Sequence, residues 1–236
     1  MLSIKNFSKT YKSGKKAVDG LSLEIMAGDI YGFIGHNGAG KTTTLKCVSG
    51  ILDFSEGEIT IDGVSVKENP IACKAMTAYV PDQPDIYDNM TGIQYLNFIA
   101  DVFRIDKTAR AAAIEKYSGL FELTGDLGSV ISSYSHGMRQ KLVLISAFIH
   151  EPKLLLLDEP FVGLDPKASH TLKEIMREYR EQGRAIFFST HVLDVAEKLC
   201  TKIAIIRDGR LVVAGETESV KGDKSLEGLF LELIEK

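Results

Sequence analysis

The chain has 236 residues, of which 44% are apolar, and its formal net charge is −4. This length allows one large domain or two small ones with a buried core. The acidic balance and the lack of a long Lys/Arg run argue against nucleic acid as the main partner, and the longest apolar runs are far below the roughly 20 residues of a membrane helix. The first residues also lack the apolar core of a signal peptide.

The three cysteines, Cys47, Cys73 and Cys200, are far apart in the chain and have no C-x-x-C spacing. Such a set favours neither a metal site nor a disulfide framework. We expect reduced thiols in the core of a cytosolic protein.

Two N-terminal segments, 2–7 and 21–25, alternate apolar and polar residues. This period predicts antiparallel strands with one buried face. A hairpin is predicted over 59–66, because Asp62-Gly63 separates two apolar pairs. A short helix over 71–76 and a strand over 77–80 should follow.

Residues 35–42 read G-H-N-G-A-G-K-T and fit the phosphate-loop pattern G-x-x-x-x-G-K-[ST] at every fixed position. A predicted strand precedes this segment and a predicted helix follows it, as the motif requires. Glycines let backbone N–H groups turn toward phosphate oxygens, Lys41 would reach the β- and γ-phosphates, and the Thr42 hydroxyl would ligate Mg²⁺. The alternative is a glycine turn that only joins a strand to a helix. The motif predicts a nucleoside triphosphate site.

Pro81 and Pro84 interrupt regular structure before a region with a helical pattern. Thr91 is a suitable N-cap for a first helix, and Asp106 opens an alanine-rich helix over 107–120. The pattern indicates an inserted helical subdomain.

Four leucines at 154–157 predict a strand that is buried on both faces and leads directly into Asp158-Glu159-Pro160. Ligands of open α/β sheets bind at the carboxyl ends of such strands. Asp158 would hold Mg²⁺ through water, and Glu159 would point toward an attacking water. The alternative, a strand followed by a charged turn, is weakened by the phosphate loop in the same chain.

The C-terminal part continues to alternate helix and strand. We expect a helix over 166–181 that is closed by Gly183, a strand over 185–188, a hairpin over 202–213 and an amphipathic helix over 226–234. Alternation of this kind predicts a parallel sheet with covered faces.

Residues 134–141 read Y-S-H-G-M-R-Q-K and lead into an amphipathic helix. Together with the phosphate loop, L-L-L-L-D-E-P at 154–160, G-L-D at 163–165 and S-T-H at 189–191, this segment resembles the ATP-binding subunit of an ABC transporter. The resemblance runs from Ile4 to about Gly215. A small-molecule kinase or a GTPase would need another explanation for the segments at 134–141 and 189–191.

The resemblance implies roles for individual residues. Tyr11 matches the aromatic residue that stacks on adenine, and Ser135 and Gly137 match the signature loop that faces the γ-phosphate held by the other subunit. Glu159 matches the catalytic base, and His191 matches the histidine that contacts the γ-phosphate. From the residues alone, Tyr11 is as consistent with packing, Ser135 with a helix N-cap and His191 with a structural role.

The resemblance thus groups the site residues by role. The catalytic group is Glu159, His191 and Lys41. Metal ligation falls to Thr42, Asp158, Asp82 and Gln83. Nucleotide binding falls to Tyr11, Gly35, His36, Asn37, Gly38, Ala39, Gly40, Lys41, Thr42, Thr43, Gln83, Ser135 and Gly137.

This chain departs from the family pattern at several positions. His136 replaces a glycine of the signature and Met138 replaces its glutamine, whereas Ser135 and Gly137 remain. His36 stands where the family often has proline. Spacing leaves open whether Asp82 or Gln83 reaches the metal. Asp165 matches a loop that crosses the dimer interface, and it equally suits the N-cap of the following helix.

We therefore expect an α/β fold: a P-loop NTPase core with a mainly parallel sheet, an N-terminal antiparallel β subdomain and an inserted α-helical subdomain. The predicted boundaries place the ATP-binding core at 1–82 and 150–215, the helical subdomain with the signature loop at 83–149 and a C-terminal helical tail at 216–236.

By resemblance, the chain binds and hydrolyses ATP with Mg²⁺ and pairs with a second nucleotide-binding subunit, identical or related. Its energy would drive transport, most like that of exporters, through a membrane-spanning permease on the cytoplasmic face of the cell membrane. Import is the other direction left open. Ile86, Tyr87 and Met90 are candidate docking residues, and burial in the subdomain core is their other interpretation. The alternative function is an ABC-type ATPase of ribosomes or DNA that is not coupled to transport.

Overall fold

A computed structural model describes residues 1–234 of the chain; Glu235 and Lys236, the end of the predicted tail, lie outside the described residues. Within that range, no helix is long and apolar enough to cross a membrane. The chain divides into two units by contact, one formed by 1–79, 153–160 and 176–236 and the other by 80–152 and 161–175. The second unit includes the segment 83–149 that we expected for the helical subdomain, and the predicted boundaries stay a prediction.

The described residues form ten strands and nine α-helices. They are β1 (Leu2–Thr10), β2 (Lys16–Ile25), β3 (Ile30–Ile34), α1 (Lys41–Val48), β4 (Glu56–Ile61), β5 (Val64–Ser65), α2 (Pro70–Met76), β6 (Thr77–Val80), α3 (Gly92–Val102), α4 (Lys107–Leu120), α5 (His136–Phe148), β7 (Leu154–Asp158), α6 (Pro166–Glu181), β8 (Ala185–Thr190), α7 (Leu193–Leu199), β9 (Lys202–Arg207), β10 (Arg210–Glu216), α8 (Thr217–Lys221) and α9 (Leu226–Ile234).

The first unit contains an antiparallel sheet with the strand order β2-β1-β4-β5. In β1, Leu2 and Ile4 are buried between Ile25 and Leu23 of β2 on one side and Ile61 and Ile59 of β4 on the other. The alternation of apolar and polar residues therefore predicted these strands correctly, because one face of each strand packs on the core.

The second sheet has the order β10-β9-β3-β8-β7-β6. The pairs β9–β3, β3–β8 and β8–β7 are parallel, and β10 forms an antiparallel hairpin with β9 at one edge. Every residue of β3, β7 and β8 is buried, which explains their continuous apolar runs. The predicted α/β class with a mainly parallel sheet is confirmed.

An aromatic cluster holds the centre of this sheet. The ring centroid of Phe187 lies 5.2 Å from that of Phe33 and 6.0 Å from that of Tyr31. Because β3 and β8 are neighbours in register, these contacts tie together the two strands that carry the phosphate loop and His191.

The second unit is mainly helical, and its helices begin at the predicted caps. The Thr91 hydroxyl accepts from the Gln94 N–H and the Gln94 side chain accepts from the Thr91 N–H, which forms a capping box at α3. Asp106 is the N-cap of α4, and its Oδ1 accepts from the N–H groups of Thr108 and Ala109. Helix α5 packs against α3 and α4.

The structure corrects one alternative and adds elements that the sequence did not indicate. Tyr87 is 58% exposed, so burial in the subdomain core is wrong for this residue, whereas Ile86 and Met90 are half-buried. The helices α7 and α8 were not predicted: they have seven and five residues, and neither has a side-chain hydrogen bond at its N-cap. Strand β10 also extends to Glu216, which we had assigned to the tail.

All three cysteines are free and buried, as their pattern predicted. Burial raises the pKa of the Cys47 thiol to about 11, and it raises the pKa of Cys73 and of Cys200 as well. Thiolate, the reactive form, is therefore scarce at neutral pH.

We expect none of the three thiols to react with a disulfide reagent at pH 8 in the folded protein, because each is both shielded and protonated. The measurement is the release of the coloured thiol from an aromatic disulfide, with and without denaturant. Full reaction of three thiols in denaturant is the control, and rapid modification of the folded chain would contradict the buried placement.

Candidate nucleotide-binding site

The phosphate loop connects β3 to α1, and its glycines are required by neighbouring backbone. A Cβ on Gly35 would lie 2.5 Å from the carbonyl oxygen of Ile206, and one on Gly40 would lie 2.6 Å from that of Ala17. Gly40 is also the N-cap of α1, with a φ of 112° that side chains rarely adopt. The loop therefore presents its backbone N–H groups and the N-terminus of α1 in a form suited to phosphate.

Lys41 is 6% exposed, and its ammonium lies under the loop. Its Nζ donates to the carbonyl oxygens of Gly35 at 2.7 Å and His36 at 3.3 Å. The same Nζ lies 3.5 Å from Glu159 Oε1. A cation held in this way can interact with phosphate oxygens bound in the loop.

Tyr11 follows β1 and lies beside the first turn of α1. Its hydroxyl is 3.0 Å from Thr43 Oγ1, and the residue is 38% exposed. The structure thus brings the predicted adenine-binding ring to the phosphate loop, with apolar surface available for stacking.

Two acidic residues stand at the end of β7. Asp158 is fully buried, whereas Glu159 adopts a left-handed backbone conformation with a φ of 47°. Glu159 Oε2 is 2.9 Å from His191 Nδ1 and accepts from the His191 backbone N–H at 3.3 Å. Lys41, Glu159 and His191 come from three separate motifs, and the parallel strands bring them together.

Ser189 belongs to the S-T-H segment, but the sequence did not predict its contacts with the two acids. The Ser189 hydroxyl donates to Asp158 Oδ1 at 2.5 Å and accepts from the Glu159 backbone N–H at 3.0 Å. No sequence signal marked these contacts, because they depend on the parallel register that pairs Asp158 with Ser189.

A second omission is the hairpin turn between β9 and β10. The Gly209 N–H donates to the Ala39 carbonyl oxygen at 3.0 Å, and His36 Nε2 lies 3.7 Å from Asp208 Oδ1. This turn supports the phosphate loop from one side. His36, which we predicted among the nucleotide-binding residues, therefore also has a neighbour in this turn.

The oxygen donors of the first unit fit a magnesium ion. Mg²⁺ prefers a few hard oxygen ligands together with water and substrate phosphates, and the Thr42 hydroxyl and Asp158 carboxylate supply that chemistry. Among residues 1–234, no group of three or more His, Cys, Asp or Glu residues could hold a metal ion by itself. A metal shared with a nucleotide matches this donor set better than an all-protein cage.

The signature residues lie in the second unit. Ser135 is the N-cap of α5, and its Oγ accepts from the Met138 N–H at 3.3 Å. An open cleft of about 460 Å³ is lined by Gln83, Pro84, His136 and Arg139. Gln83 is exposed and Asp82 is half-buried, and the choice between them as metal ligand stays a prediction.

Asp165 is confirmed as an N-cap, because its Oδ1 accepts from the Ala168 N–H at 2.8 Å at the start of α6. Its other oxygen, Oδ2, pairs with Lys141 Nζ at 2.7 Å. The hydrogen bond from Lys141, followed by that from Ala168, lowers the pKa of the Asp165 carboxyl. Asp165 is therefore ionised at neutral pH and joins α6 to α5.

Comparison with known proteins adds to this geometry. The family model described as "ABC transporter" matches residues 18–162. The ABC transporter ATP-binding protein NatA of Bacillus subtilis (strain 168) is 30% identical over 233 residues, which cover 97% of this chain and 95% of that protein.

Two solved structures share the fold. One, described as the ATP binding subunit of an ABC transporter, has a TM-score of 0.95, 31% identity and 99% coverage of both chains. The other, a dimeric post-hydrolysis state of the ATP-binding cassette MJ0796 bound to ADP and Pi, has a TM-score of 0.84 at 22% identity and covers 92% of this chain and 99% of its own. The second likeness concerns the fold alone. Because the family model covers more than half of the chain and the match to NatA extends over nearly all of it, the chain belongs to the ABC transporter family as an ATP-binding subunit with ATPase activity.

Proposed function

We propose that this subunit hydrolyses ATP at the site formed by the phosphate loop, Glu159 and His191, and that it uses the energy to drive transport through a separate permease. The observation that carries the proposal is the convergence of Lys41, Glu159 and His191 at one edge of the parallel sheet. A cation, a carboxylate and an imidazole in contact are the groups that phosphoryl transfer to water requires.

Each residue of the site has its own role in the proposed reaction. The backbone of residues 35–43 binds the phosphates, and Tyr11 stacks on the base. Glu159 accepts a proton from water in line with the γ-phosphorus. Lys41 and His191 stabilise the negative charge that develops on the phosphoryl oxygens. The roles of Lys41, Glu159 and His191 are consistent with the distances from Glu159 to the other two side chains.

Thr42 and Asp158 would hold the magnesium ion, Thr42 directly and Asp158 through water, with Asp82 or Gln83 as a further ligand. When bound, Mg²⁺ neutralises charge on the β- and γ-phosphates. The hydrogen bond from Ser189 keeps one oxygen of Asp158 in a defined orientation for this purpose.

Two nucleotide-binding subunits, identical or related, pair when ATP is bound, and Ser135 and Gly137 of each face the γ-phosphate on the other. As an N-cap, the Ser135 oxygen accepts one hydrogen bond and keeps its proton to donate to phosphate. The two interpretations of this residue are thus compatible. A dimer is the form in which the cassette MJ0796, which has the same fold, was solved with ADP and Pi.

The second unit offers a preformed surface for this pairing. A Cβ on Gly163 would lie 2.5 Å from His136 Cδ2, and one on Gly137 would lie 2.9 Å from the Gly163 carbonyl oxygen. The ion pair of Lys141 with Asp165 adds a second connection. His136 is larger than the glycine usual in the family, and its ring lies close to Gly163. This contact joins the start of α5 to the turn at 163–165.

The proposed partner beyond the dimer is a membrane-spanning permease, and the subunit would lie at the cytoplasmic face of the membrane through that contact. Tyr87 is exposed and packs edge-on against Phe98 with a centroid distance of 5.7 Å, which makes this pair a candidate docking site. The form of the signature at 137–140 favours export. The net charge of −4 does not favour the alternative of a nucleic-acid-associated ATPase.

The proposed organisation keeps the predicted ranges: an ATP-binding core at 1–82 and 150–215, a helical subdomain at 83–149 and a tail at 216–236. The described contacts within each unit support the division between a nucleotide-binding sheet and a helical part.

Replacing Lys41 with Ala should weaken ATP binding about 100-fold or more, because a charge-assisted contact with the phosphates is lost at a buried position. The measurement is titration with a fluorescent ATP analogue. Lys46→Ala, on the same helix, is the matched control and should bind as the wild type does. Unchanged affinity of the Lys41 variant would contradict the site.

Glu159→Gln should reduce the rate of ATP hydrolysis about 100-fold or more, while ATP binding is retained and an ATP-bound dimer accumulates. Phosphate release gives the rate, and size-exclusion chromatography with ATP and Mg²⁺ gives the dimer. Glu24→Gln changes an exposed carboxylate on β2 and serves as control. Turnover near the wild-type rate would remove Glu159 from its role, and a monomer at every nucleotide concentration would argue against the paired site.

Gly163→Ala should destabilise the protein by about 1 kcal/mol from its positive φ and by about 1–2 kcal/mol more from the clash with His136. Gly183→Ala measures the first contribution alone, because that glycine has a φ of 75° and open space around it. In the double variant with His136→Ala, the second contribution should disappear in urea unfolding. Equal losses for the variants at Gly163 and Gly183 would show that the His136 contact is unimportant.

A further inference from the structure

Ser189 occupies the position in β8 that pairs with Asp158 in β7, next to both acidic residues of the proposed site. The two positions are partners in the parallel register, and both residues are fully buried. Because bulk water does not reach this hydroxyl, its hydrogen-bond partners are protein groups. Its two hydrogen bonds therefore help to fix the orientation of those groups.

The Ser189 oxygen acts on the two acids in different ways. It donates its proton to the side-chain Oδ1 of Asp158 at 2.5 Å, and it accepts the backbone N–H of Glu159 at 3.0 Å. One atom thus fixes the carboxylate of the first acid and the main chain of the second. A serine hydroxyl can make both bonds because this one small group is both a donor and an acceptor.

The bond to the Glu159 N–H matters because the chain turns sharply there. Glu159 lies beyond the last residue of β7 and has a φ of 47°, in the left-handed region that is unfavourable for a residue with a Cβ. This conformation directs the Glu159 carboxylate toward His191, at 2.9 Å from Nδ1, and toward Lys41, at 3.5 Å from Nζ. The direction of the proposed base therefore depends on a backbone turn that Ser189 stabilises.

We infer that Ser189 is a positioning residue for ATP hydrolysis: its hydroxyl couples the orientation of Asp158 to the backbone turn that aims Glu159. The inference rests on the proposed function, in which these two acids serve the metal and the water. Ser189 itself makes no contact with the phosphate loop among the hydrogen bonds of the described residues, so it acts through the acids rather than through nucleotide binding.

The test compares Ser189→Ala, Ser189→Cys and Ser189→Thr with the wild type. The Ala variant lacks the hydroxyl, the Cys variant keeps the volume with a weak hydrogen-bonding group, and the Thr variant keeps the hydroxyl. Steady-state hydrolysis gives kcat and KM, and a fluorescent ATP analogue gives affinity. We expect kcat to fall about tenfold in the Ala and Cys variants, ATP affinity to stay within about twofold, and the Thr variant to recover most of the rate.

Ser8→Ala is the matched control for the loss of a buried serine. The Ser8 oxygen accepts the Gly20 backbone N–H at 3.0 Å, and Ser8 is 4% exposed on β1, away from both acids. This variant should keep the wild-type kcat. A second measurement places Ser189→Ala in the Glu159→Gln background, where the further loss should be smaller than in the wild type, because the part that acts through Glu159 is already gone.

Wild-type kcat in Ser189→Ala, an equal loss in Ser189→Thr or Ser8→Ala, or an undiminished further loss in the Glu159→Gln background would each overturn the inference. If Ser189→Ala does not fold, the volume-conserving Cys variant is judged by the same criteria. Full turnover of Glu159→Gln by itself would instead overturn the proposed function. Loss of turnover in Glu159→Gln together with full turnover in Ser189→Ala would overturn only the inference.

Discussion

The contacts that Glu159 makes with Lys41 and with His191 are the interactions on which the proposed function depends. These residues follow β3, β7 and β8, and the order β3-β8-β7 places the carboxyl ends of all three strands side by side. Residues more than a hundred positions apart are thereby brought within hydrogen-bonding or ion-pair distance. Lys41 is 6% exposed and the Glu159 side chain 14%, so their charges interact in an environment with little water and act more strongly on a bound phosphate than they would at an open surface.

The phosphate loop illustrates how one sequence feature serves both fold and function. Gly35 lies against β9 and Gly40 against β2, at distances that leave no room for a Cβ. The same lack of a Cβ exposes backbone N–H groups to phosphate. The antiparallel sheet thus supports the nucleotide loop through β2 and also supplies Tyr11 at the end of β1. The turn at Gly209 completes the support from the other hairpin.

The predictions that succeeded depend on local physics. The caps at Thr91, Asp106 and Asp165 were predicted because a cap satisfies N–H groups only two or three residues away. Burial of the cysteines followed from composition, and the alternation in β1 and β2 followed from one-sided packing. The short helices α7 and α8 were missed because they lack side-chain caps and are too short for a clear period. Tyr87 was open to both interpretations because sequence alone does not reveal which neighbours cover an apolar side chain.

By itself, the sequence determined the phosphate loop, the acids after the four leucines, the class of fold and the family resemblance, because each depends on residue type at fixed short spacing. Only the tertiary structure decided how the motifs meet: Ser189 beside Asp158 and Glu159, the Asp208-Gly209 turn under the loop, and His136 against Gly163. These contacts arise from strand register and from the close approach of distant segments. Both are set by the packing of the whole sheet or helical unit, and no local stretch of sequence contains that information.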